Sequence, residues 1–226
     1  MKYSNVSKGV FISRPNRFIA DVDIDGERKI CHVKNTGRCR ELLVRGTRVV
    51  LEKTDSAKRK TKYDLIAVYK KDELINIDSQ APNKVFGEWV RNSDYFKNVS
   101  LIQPEYTYKN SRFDFYIEAD GRKIFVEVKG VTLEENGIVM FPDAPTERGV
   151  KHMNELIDAK ENGYDTYVFF VIQMKNCKYF VPNEETHPEF AKALRKAIAH
   201  DVNVCAVNCN VKEDELKIDG FVSVIL

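Results

Sequence analysis

Three side chains in the middle of the sequence have the types and the spacing of a metal-dependent hydrolytic site. Asp114 lies in one short apolar run, and Glu127 and Lys129 lie in the next, with the turn sequence Asp120-Gly121 between the runs. Mg²⁺ prefers oxygen ligands and commonly takes one or two carboxylates together with water and substrate phosphate. A cation held there can neutralise charge at a phosphodiester, and a lysine beside it can stabilise the charged transition state.

A β-hairpin is the element that must bring these three side chains together. Asp-Gly is a strong signal for a two-residue turn, so Ala119 is expected to pair with Arg122. Counting back along both strands places Asp114 opposite Glu127, and Lys129 shares their face because side chains alternate along a strand. Opposed carboxylates repel each other, and a bound cation would remove that repulsion. The other face is expected to be core and holds Phe113, Phe115, Val126 and Val128.

The alternative interpretation of these residues is a solvated face without chemistry. A Glu-x-Lys motif on a strand usually has that meaning, and the opposed Asp114 is what adds specificity. The interpretation depends on the register, since a slip of one residue would send the two acids to opposite faces.

Charge is distributed unevenly along the chain. Residues 1–80 hold 18 Lys and Arg against 11 Asp and Glu, whereas residues 81–226 hold 18 against 23. This asymmetry predicts two domains, a basic one suited to polyanions and an acidic one suited to cations. No apolar run approaches the roughly 20 residues of a membrane span, and the N-terminus lacks a signal peptide's apolar stretch. We therefore expect a cytoplasmic protein with no membrane partner.

Residues 1–80 are predicted to form a small β-barrel of the OB type. Short β-branched and aromatic runs bounded by turn residues predict strands at 6–13, 17–24, 28–33, 47–53 and 63–70. Residues 38–44 are expected to form one or two helical turns. An SH3-like barrel fits this pattern nearly as well.

Residues 81–226 are predicted to form an α/β domain with a mixed sheet. Helices are expected at 82–91, from after Asp143 to 162, and at 187–200. Strands are expected at 101–108, 112–118, 123–129, 138–141, 166–174 and 202–208. Asp143 is expected to cap the second helix, with Pro145 in its first turn, and metal binding is its alternative role.

The hairpin and the helix before it resemble the PD-(D/E)xK nuclease pattern. In that superfamily a helix acid, a hairpin Asp and an E-x-K strand assemble the metal site. The residue before Asp114 here is Phe113 rather than proline. The resemblance implies Glu88, Asp114 and Glu127 as ligands for Mg²⁺ or Mn²⁺, with Lys129 as a catalytic residue beside Asp114 and Glu127.

Longer motifs resemble the sugar fermentation stimulation protein A (SfsA) family, and the resemblance covers nearly the whole chain. The motifs are RPNRF at 14–18, CHVKNTGR at 31–38 and FPDAPTERGVKH at 141–152. The resemblance implies an N-terminal OB-like domain (1–80), a C-terminal nuclease-like domain (81–226), DNA binding and a role in regulating sugar metabolism.

The same motifs supply candidate contacts to nucleic acid. In the second helix Arg148, Lys151 and His152 share a face near the positive helix end, where they would contact phosphate. The alternative is a solvated basic face with Glu147 and Glu155 as partners. A basic stretch at 58–62 is either a non-specific contact or a solvated loop. In the barrel the candidates lie at loops and strand ends, where an OB barrel receives a nucleic-acid strand; they are Arg14, Asn16, Arg17, Phe18, Lys34, Asn35, Arg38 and Arg40.

Two classes of function are open from the sequence. The first is a DNA-binding protein with a Mg²⁺- or Mn²⁺-dependent nuclease site, acting on single- or double-stranded DNA, with RNA as a further substrate. The rival is a non-catalytic DNA-binding regulator of sugar metabolism genes with a vestigial site. A sugar-phosphate binder is a third hypothesis, but the sequence has no glycine-rich phosphate loop to support it.

Overall fold

The N-terminal strands close into a barrel. The computed structural model describes residues 1–35, 37–54 and 59–226. Parallel pairing of β3 (Glu27–Val33) with β5 (Tyr63–Lys70) closes the first five strands, so the predicted OB-type barrel is confirmed. The strands are β1 (Val6–Asn16), β2 (Ile19–Ile24), β3 (Glu27–Val33), β4 (Arg48–Lys53), β5 (Tyr63–Lys70) and β6 (Glu73–Asn76), in the sheet order β3-β2-β1-β4-β5-β6.

The segment between β3 and β4 contains one helical turn, as predicted. The Leu43 N–H donates to the Cys39 carbonyl at 2.9 Å, which closes a single turn that does not continue into a helix. Cys39 has a φ of 44°, in the left-handed region, so its own backbone is not helical. Burial of Cys39, Leu42 and Leu43 stabilises this compact connection.

The C-terminal half is built on a mixed sheet of nine strands. The elements are α1 (Ala81–Asn92), β7 (Val99–Tyr108), β8 (Ser111–Ala119), β9 (Arg122–Val131), β10 (Leu133–Glu135), β11 (Ile138–Phe141), α2 (Glu147–Glu161), β12 (Asp165–Ile172), β13 (Tyr179–Pro182), α3 (Pro188–Ala199), β14 (Asn203–Val211) and β15 (Leu216–Val224). The strand order is β10-β11-β13-β15-β14-β12-β9-β8-β7. β9 pairs antiparallel with β8 and parallel with β12, so it lies inside the sheet. The prediction from the sequence did not include β10, β13 and β15.

Helices cover both faces of this sheet. On one face, the Phe86 ring of α1 packs 5.1 Å from Phe115 and 4.8 Å from Phe169. On the other, α2 and α3 contribute Met153 and Phe190 to a second apolar cluster. The sheet is therefore the middle layer, and residues on β9 face either α1 or α2.

The start of α2 corrects a prediction. Thr146, not Asp143, caps the helix, and its side-chain oxygen accepts a hydrogen bond from the Gly149 N–H at 3.1 Å. Pro145 accordingly lies before the helix. The Phe141–Pro142 peptide bond is cis. These residues form the connection that leads from β11 to α2.

Buried polar contacts fix the barrel against the C-terminal half. The Gln173 side-chain amide donates to the Asn76 side chain at 2.8 Å and to the Asp78 carbonyl at 3.0 Å. The Asn76 N–H in turn donates to the Gln173 carbonyl at 2.9 Å. Because buried polar groups are costly to leave unpaired, this junction is held in one arrangement.

No helix formed by the described residues is long and apolar enough to cross a membrane. The five cysteines are free thiols, and Cys31, Cys39 and Cys209 are buried. Burial raises the pKa of each of these three to about 12. They behave as small apolar core residues rather than as reactive groups.

Candidate metal centre and nucleic-acid interface

The β8–β9 hairpin has the predicted register. Asp120 and Gly121 have φ of 51° and 71° and form the tight turn. The two strands pair from Ala119 with Arg122 to Phe115 with Val126. The turn therefore places the carboxylates of Asp114 and Glu127 at the end of the paired region, where the two strands separate.

Alternation along β8 breaks at Asp114, which the prediction did not foresee. The Phe113 ring packs 4.9 Å from Phe125 on the α2 side of the sheet, whereas Phe115 packs against α1. Phe113 and Phe115 thus lie on opposite faces, and their assignment to one core face was wrong. The distortion coincides with the left-handed φ of 55° at Glu105, which stands across from Asp114 on β7.

Asp114 is held by two hydrogen bonds at this break. Its Oδ2 accepts from the Val128 N–H at 2.8 Å, and its Oδ1 accepts from the Asn83 side-chain amide at 2.7 Å. Burial and the negative charge of Glu127 nevertheless raise the pKa of Asp114 above its ordinary value. The two hydrogen bonds fix the orientation of the carboxylate without neutralising it.

Glu127 is almost fully buried and has one satisfied oxygen. Its Oε1 accepts from Lys129 Nζ at 2.5 Å and contacts His152 Nδ1. Its Oε2 has no hydrogen-bond partner among the described residues. Burial alone would raise the pKa of Glu127, but His152 and Lys129 outweigh it and hold the pKa below the ordinary value. The carboxylate is therefore ionised and has a free oxygen.

Glu88 lies away from this cluster, which corrects its assignment as a third metal ligand. Its carboxylate contacts the amino group of Met1 at 2.7 Å, and that amino group also donates to the Leu216 carbonyl. Helix α1 instead presents Asn83 to Asp114. The two positions are five residues apart, about 140° around a helix, so one helix cannot direct both side chains to the same site.

The carboxylates of Asp114 and Glu127 are the candidate ligands for a cation at this site. Across the described ranges, no group of three or more His, Cys, Asp or Glu side chains is arranged to hold a metal. The oxygen atoms of Asp114 and Glu127, including a buried one without a partner, suit a hard divalent ion. Such an ion would take its remaining ligands from water and from substrate phosphate.

Arg14 and Asn16 stabilise loops of the barrel. The Arg14 guanidinium donates to four backbone carbonyls, those of Arg17, Asn35, Gly37 and Arg38, at 2.7–3.0 Å. The Asn16 side chain accepts from the Phe18 and Ile19 N–H groups at 2.9 and 3.1 Å. These contacts occupy the groups that were predicted to bind nucleic acid.

Lys34 and Asn35 are likewise turned toward the protein. Lys34 Nζ lies 3.3 Å from Asp78 and 3.6 Å from Asp64, both buried. The Asn35 amide donates to the Ile77 carbonyl at 2.9 Å, and its oxygen accepts from the Gly37 N–H at 2.7 Å. Thr36 of the same motif lies outside the described residues.

Three other barrel arginines form an open basic surface, which we call the arginine rim: Arg17, Arg38 and Arg40. All three side chains are exposed and line a cavity of about 480 Å³. The exposed ring of Phe18 lies beside them, with the Arg17 guanidinium 5.6 Å from its centre. Positive charge beside an exposed aromatic ring is typical of surfaces that bind the backbone and stack the bases of single-stranded nucleic acid.

The arginine rim adjoins a cleft between the two halves of the molecule. Gly37 and Ala144 border both the rim cavity and a second cavity of about 300 Å³. Gly130 and Val131, which directly follow Lys129 on β9, line the second cavity. A side chain at Gly37 would lie only 2.5 Å from Asp143 Oδ2, so glycine permits the close approach here. The cleft thus joins the rim to the end of β9 that follows Lys129.

The three candidates on α2 have different surroundings. Lys151 is exposed and lies 3.4 Å from Glu155. Arg148 is exposed and its Nε lies 3.3 Å from His152 Nε2. His152 is only 5% exposed, so its assignment as a nucleic-acid contact was wrong: it bonds to Glu127 inside the protein.

Part of the basic stretch at 58–62 is described. Lys58 lies outside the described residues. Arg59 donates to both oxygens of the buried Asp64, one at 2.9 Å, and is therefore committed to a structural ion pair. Lys60 is exposed and remains available to solvent.

Family models match both halves of the chain. The SfsA N-terminal OB domain matches residues 12–77, and the sugar fermentation stimulation protein RE domain matches residues 80–215. The chain belongs to the sugar fermentation stimulation protein family. The resemblance carried by the three sequence motifs is thereby confirmed.

Relatives of this family match along their full length. Sugar fermentation stimulation protein homologs of Clostridium beijerinckii and Ruminiclostridium cellulolyticum are 60% and 57% identical, each over all of this chain and all of the relative. A solved structure of Pyrococcus furiosus SfsA in complex with Ca²⁺ matches with a TM-score of 0.91 and 28% identity, covering 100% of this chain and 98% of the other.

Proposed function

We propose that the protein is a divalent-metal-dependent nuclease. It binds DNA through its barrel, and its active site consists of Asp114, Glu127 and Lys129. The observation that carries this proposal is the buried Glu127 Oε2, which has no partner among the described residues although the charge of Asp114 lies close by. A protein rarely keeps such an arrangement without use, because an unsatisfied buried charge is costly.

Mg²⁺ or Mn²⁺ is the proposed cofactor, held by Asp114 and Glu127. The Ca²⁺ in the Pyrococcus furiosus relative supports a divalent-cation site in the family. A bound cation would supply Lewis-acid chemistry, polarising a phosphodiester oxygen and offsetting its negative charge. The chain's own contribution is to fix Asp114 through Asn83 and Val128, and to hold the Lys129 ammonium 2.5 Å from Glu127 Oε1.

DNA is the proposed substrate because the arginine rim offers exposed positive charge beside the cleft. Each neutralised phosphate releases counterions, so such a surface binds nucleic acid with an affinity that falls steeply with salt. Arg148 on α2 adds a further exposed cation near Glu127, to which it is linked by His152. Phosphate groups could thus be held on both sides of the carboxylates.

A cleavage assay tests the proposal directly. The protein is incubated with single-stranded DNA, double-stranded DNA and RNA, each with Mg²⁺, Mn²⁺ or EDTA. Cleavage is expected with metal and not with EDTA, and Asp114→Ala and Lys129→Ala should each lower it by at least about 100-fold, the scale of a lost charge-stabilising group.

Glu88→Ala is the matched control, because Glu88 is an acid of α1 whose carboxylate contacts Met1 instead. It should retain cleavage, whereas the PD-(D/E)xK pattern would assign it to the metal. DNA binding without cleavage by the parent protein would reject the nuclease and favour the non-catalytic regulator.

Binding to DNA is tested separately from cleavage, in EDTA. Arg38→Ala and Arg40→Ala should each lower the slope of log affinity against log salt by about 1. Arg28→Ala is the control, since Arg28 is an exposed arginine on β3 that pairs with Asp21 and lies outside the rim. An unchanged slope in both rim variants would place the DNA elsewhere.

A further inference from the structure

Helix α2 supplies a buried histidine to the carboxylate cluster. His152 Nδ1 contacts Glu127 Oε1, and the ring is almost fully buried. On its other side, His152 Nε2 lies 3.3 Å from Arg148 Nε. The imidazole thus connects an exposed arginine to the buried carboxylate, a placement that sequence spacing suggested only as a shared helix face.

The arginine determines which ring nitrogen carries the proton. A guanidinium has only N–H donors and no acceptor, so His152 Nε2 must accept the hydrogen bond from Arg148. The proton of the neutral ring is then on Nδ1, which donates to Glu127 Oε1. Lys129 Nζ lies 3.4 Å from the same Nδ1, and since both groups are donors this is a contact rather than a hydrogen bond.

Two donors therefore converge on one oxygen of Glu127. Lys129 Nζ and His152 Nδ1 both bond to Oε1, which leaves Oε2 as the oxygen available to a ligand. A carboxylate held by one contact could rotate and exchange its oxygens. The second donor, anchored in a helix and fixed by Arg148, opposes that rotation.

We propose that His152 is a positioning residue, which, oriented by Arg148, holds Glu127 so that Oε2 faces the cation site. The inference rests on the proposed function, since it assigns Glu127 to a divalent cation. His152 itself touches neither the cation nor the substrate. Partners that orient a metal ligand in this way typically change metal affinity about 10- to 100-fold when they are replaced.

Two amide substitutions separate positioning from packing. In His152→Asn the side-chain amide can occupy the place of Nδ1 and still donate to Glu127, whereas in His152→Gln the amide reaches the place of Nε2 and the donor to Glu127 is lost. Both remove the ring, so both remove similar packing. Mn²⁺ affinity, measured by calorimetry without DNA, should be largely retained in His152→Asn and fall about 10-fold or more in His152→Gln.

The outcomes distinguish this inference from the function on which it rests. If the parent binds Mn²⁺ and Asp114→Ala does not, the metal site stands, and equal affinities of the two His152 variants would overturn only the positioning role. If the parent binds no Mn²⁺, both proposals fail.

A measurement on the parent protein covers the case in which neither variant folds. Long-range proton–nitrogen NMR spectra report which ring nitrogen carries the proton in each of the four histidines. From the two hydrogen bonds of the His152 ring, a proton is expected on Nδ1 and none on Nε2. A ring with its only proton on Nε2 would contradict the inference, because Nδ1 could not then donate to Glu127 and Nε2 could not accept from Arg148.

Discussion

Two buried lysine–carboxylate clusters can be compared within the described part of the chain. In the barrel cluster, Lys34 Nζ lies within 3.6 Å of Asp64 and 3.3 Å of Asp78. Asp64 also accepts from Arg59 and contacts His32 at 3.2 Å. Every carboxylate in this cluster has a cationic or hydrogen-bonding partner on the barrel or at the domain junction.

The sheet cluster, around Glu127 and Asp114, also combines a lysine with carboxylates, but it has fewer cationic partners for each carboxylate. Lys129 and His152 both bond to Glu127 Oε1, whereas among the described residues Asp114 is bonded only by the neutral donors Asn83 and Val128. One ammonium thus stands against two carboxylates, and one buried oxygen has no partner among the residues described.

The difference separates a structural cluster from a candidate site. Burial would raise the pKa of Asp64, but Arg59 and Lys34 hold that pKa below its ordinary value. The pKa of Asp114 is raised, by burial and by Glu127. Carboxylates that the fold itself satisfies contribute to stability, and carboxylates left in excess mark a place where a cation is expected.

The largest expected effect belongs to the barrel cluster. Lys34→Met leaves Asp78 and Asp64 without their shared cation, and the free energy of unfolding should fall by about 3 kcal/mol, the scale of breaking a buried ion pair. Chemical denaturation measures it, and Mn²⁺ should not restore the loss. Lys29→Met on β3 is the control, because Lys29 pairs with the exposed Glu27 and its loss should leave the free energy of unfolding nearly unchanged. Equal losses in the two variants would contradict the comparison.

Lys129→Met should destabilise the metal-free protein by about 2 kcal/mol. The loss is smaller than for Lys34 because Glu127 keeps its bond to His152, whereas Asp78 loses the one cation that pairs with it among the described residues. Unlike the barrel variant, it should become smaller when Asp114→Asn is added, since one of the two carboxylates is then neutral. A double-mutant cycle in EDTA measures this coupling, with Lys123→Met, an exposed lysine on the same strand, as the control. Strictly additive effects would place Asp114 and Lys129 in separate environments.

The hairpin could be predicted because its register is determined locally. A two-residue Asp120-Gly121 turn fixes every pair of residues up to the end of the ladder. The break at Asp114 could not be predicted, since it arises where β8 leaves β9 and β7 is distorted at Glu105. The sequence therefore indicated which acids meet but not which oxygen would remain free.

The remaining differences come from tertiary structure. Whether α1 directs Asn83 or Glu88 to the site depends on how the helix is rotated against the sheet, which the spacing of its apolar residues leaves open. Arg14 and Arg38 have the same side chain, and only the folded loop shows that one is committed to backbone carbonyls. β15 was different: its alternation of buried and exposed residues from Leu216 onward was a readable signal that the prediction overlooked.

Asp114→Asn, unlike the two lysine variants, should stabilise the metal-free protein, by about 1 kcal/mol. In EDTA at pH 7 the variant is expected to be more stable than the parent, because it removes a buried negative charge beside Glu127. The Asn oxygen can still accept from the Val128 N–H, and its amide can donate to Asn83 after that amide turns over. With saturating Mn²⁺ the order should reverse, since the cation stabilises only the parent. A less stable variant in EDTA would show that Asp114 is a satisfied structural group.

The smallest expected effect is the pH dependence of that difference. The folded pKa of Asp114 is raised above its unfolded value near 3.8, so the parent binds more protons folded than unfolded within this window. The contribution of Asp114 is therefore most favourable below pH 3.8 and is lost as the pH rises through the folded pKa. In EDTA, the excess in unfolding free energy of Asp114→Asn over the parent should grow as the pH rises across the same window and then level off. Unfolding free energies of both proteins at a series of pH values test this. An advantage that grew toward acid pH would mean that Asp114 is stabilised as a carboxylate, as Asp64 is in the barrel.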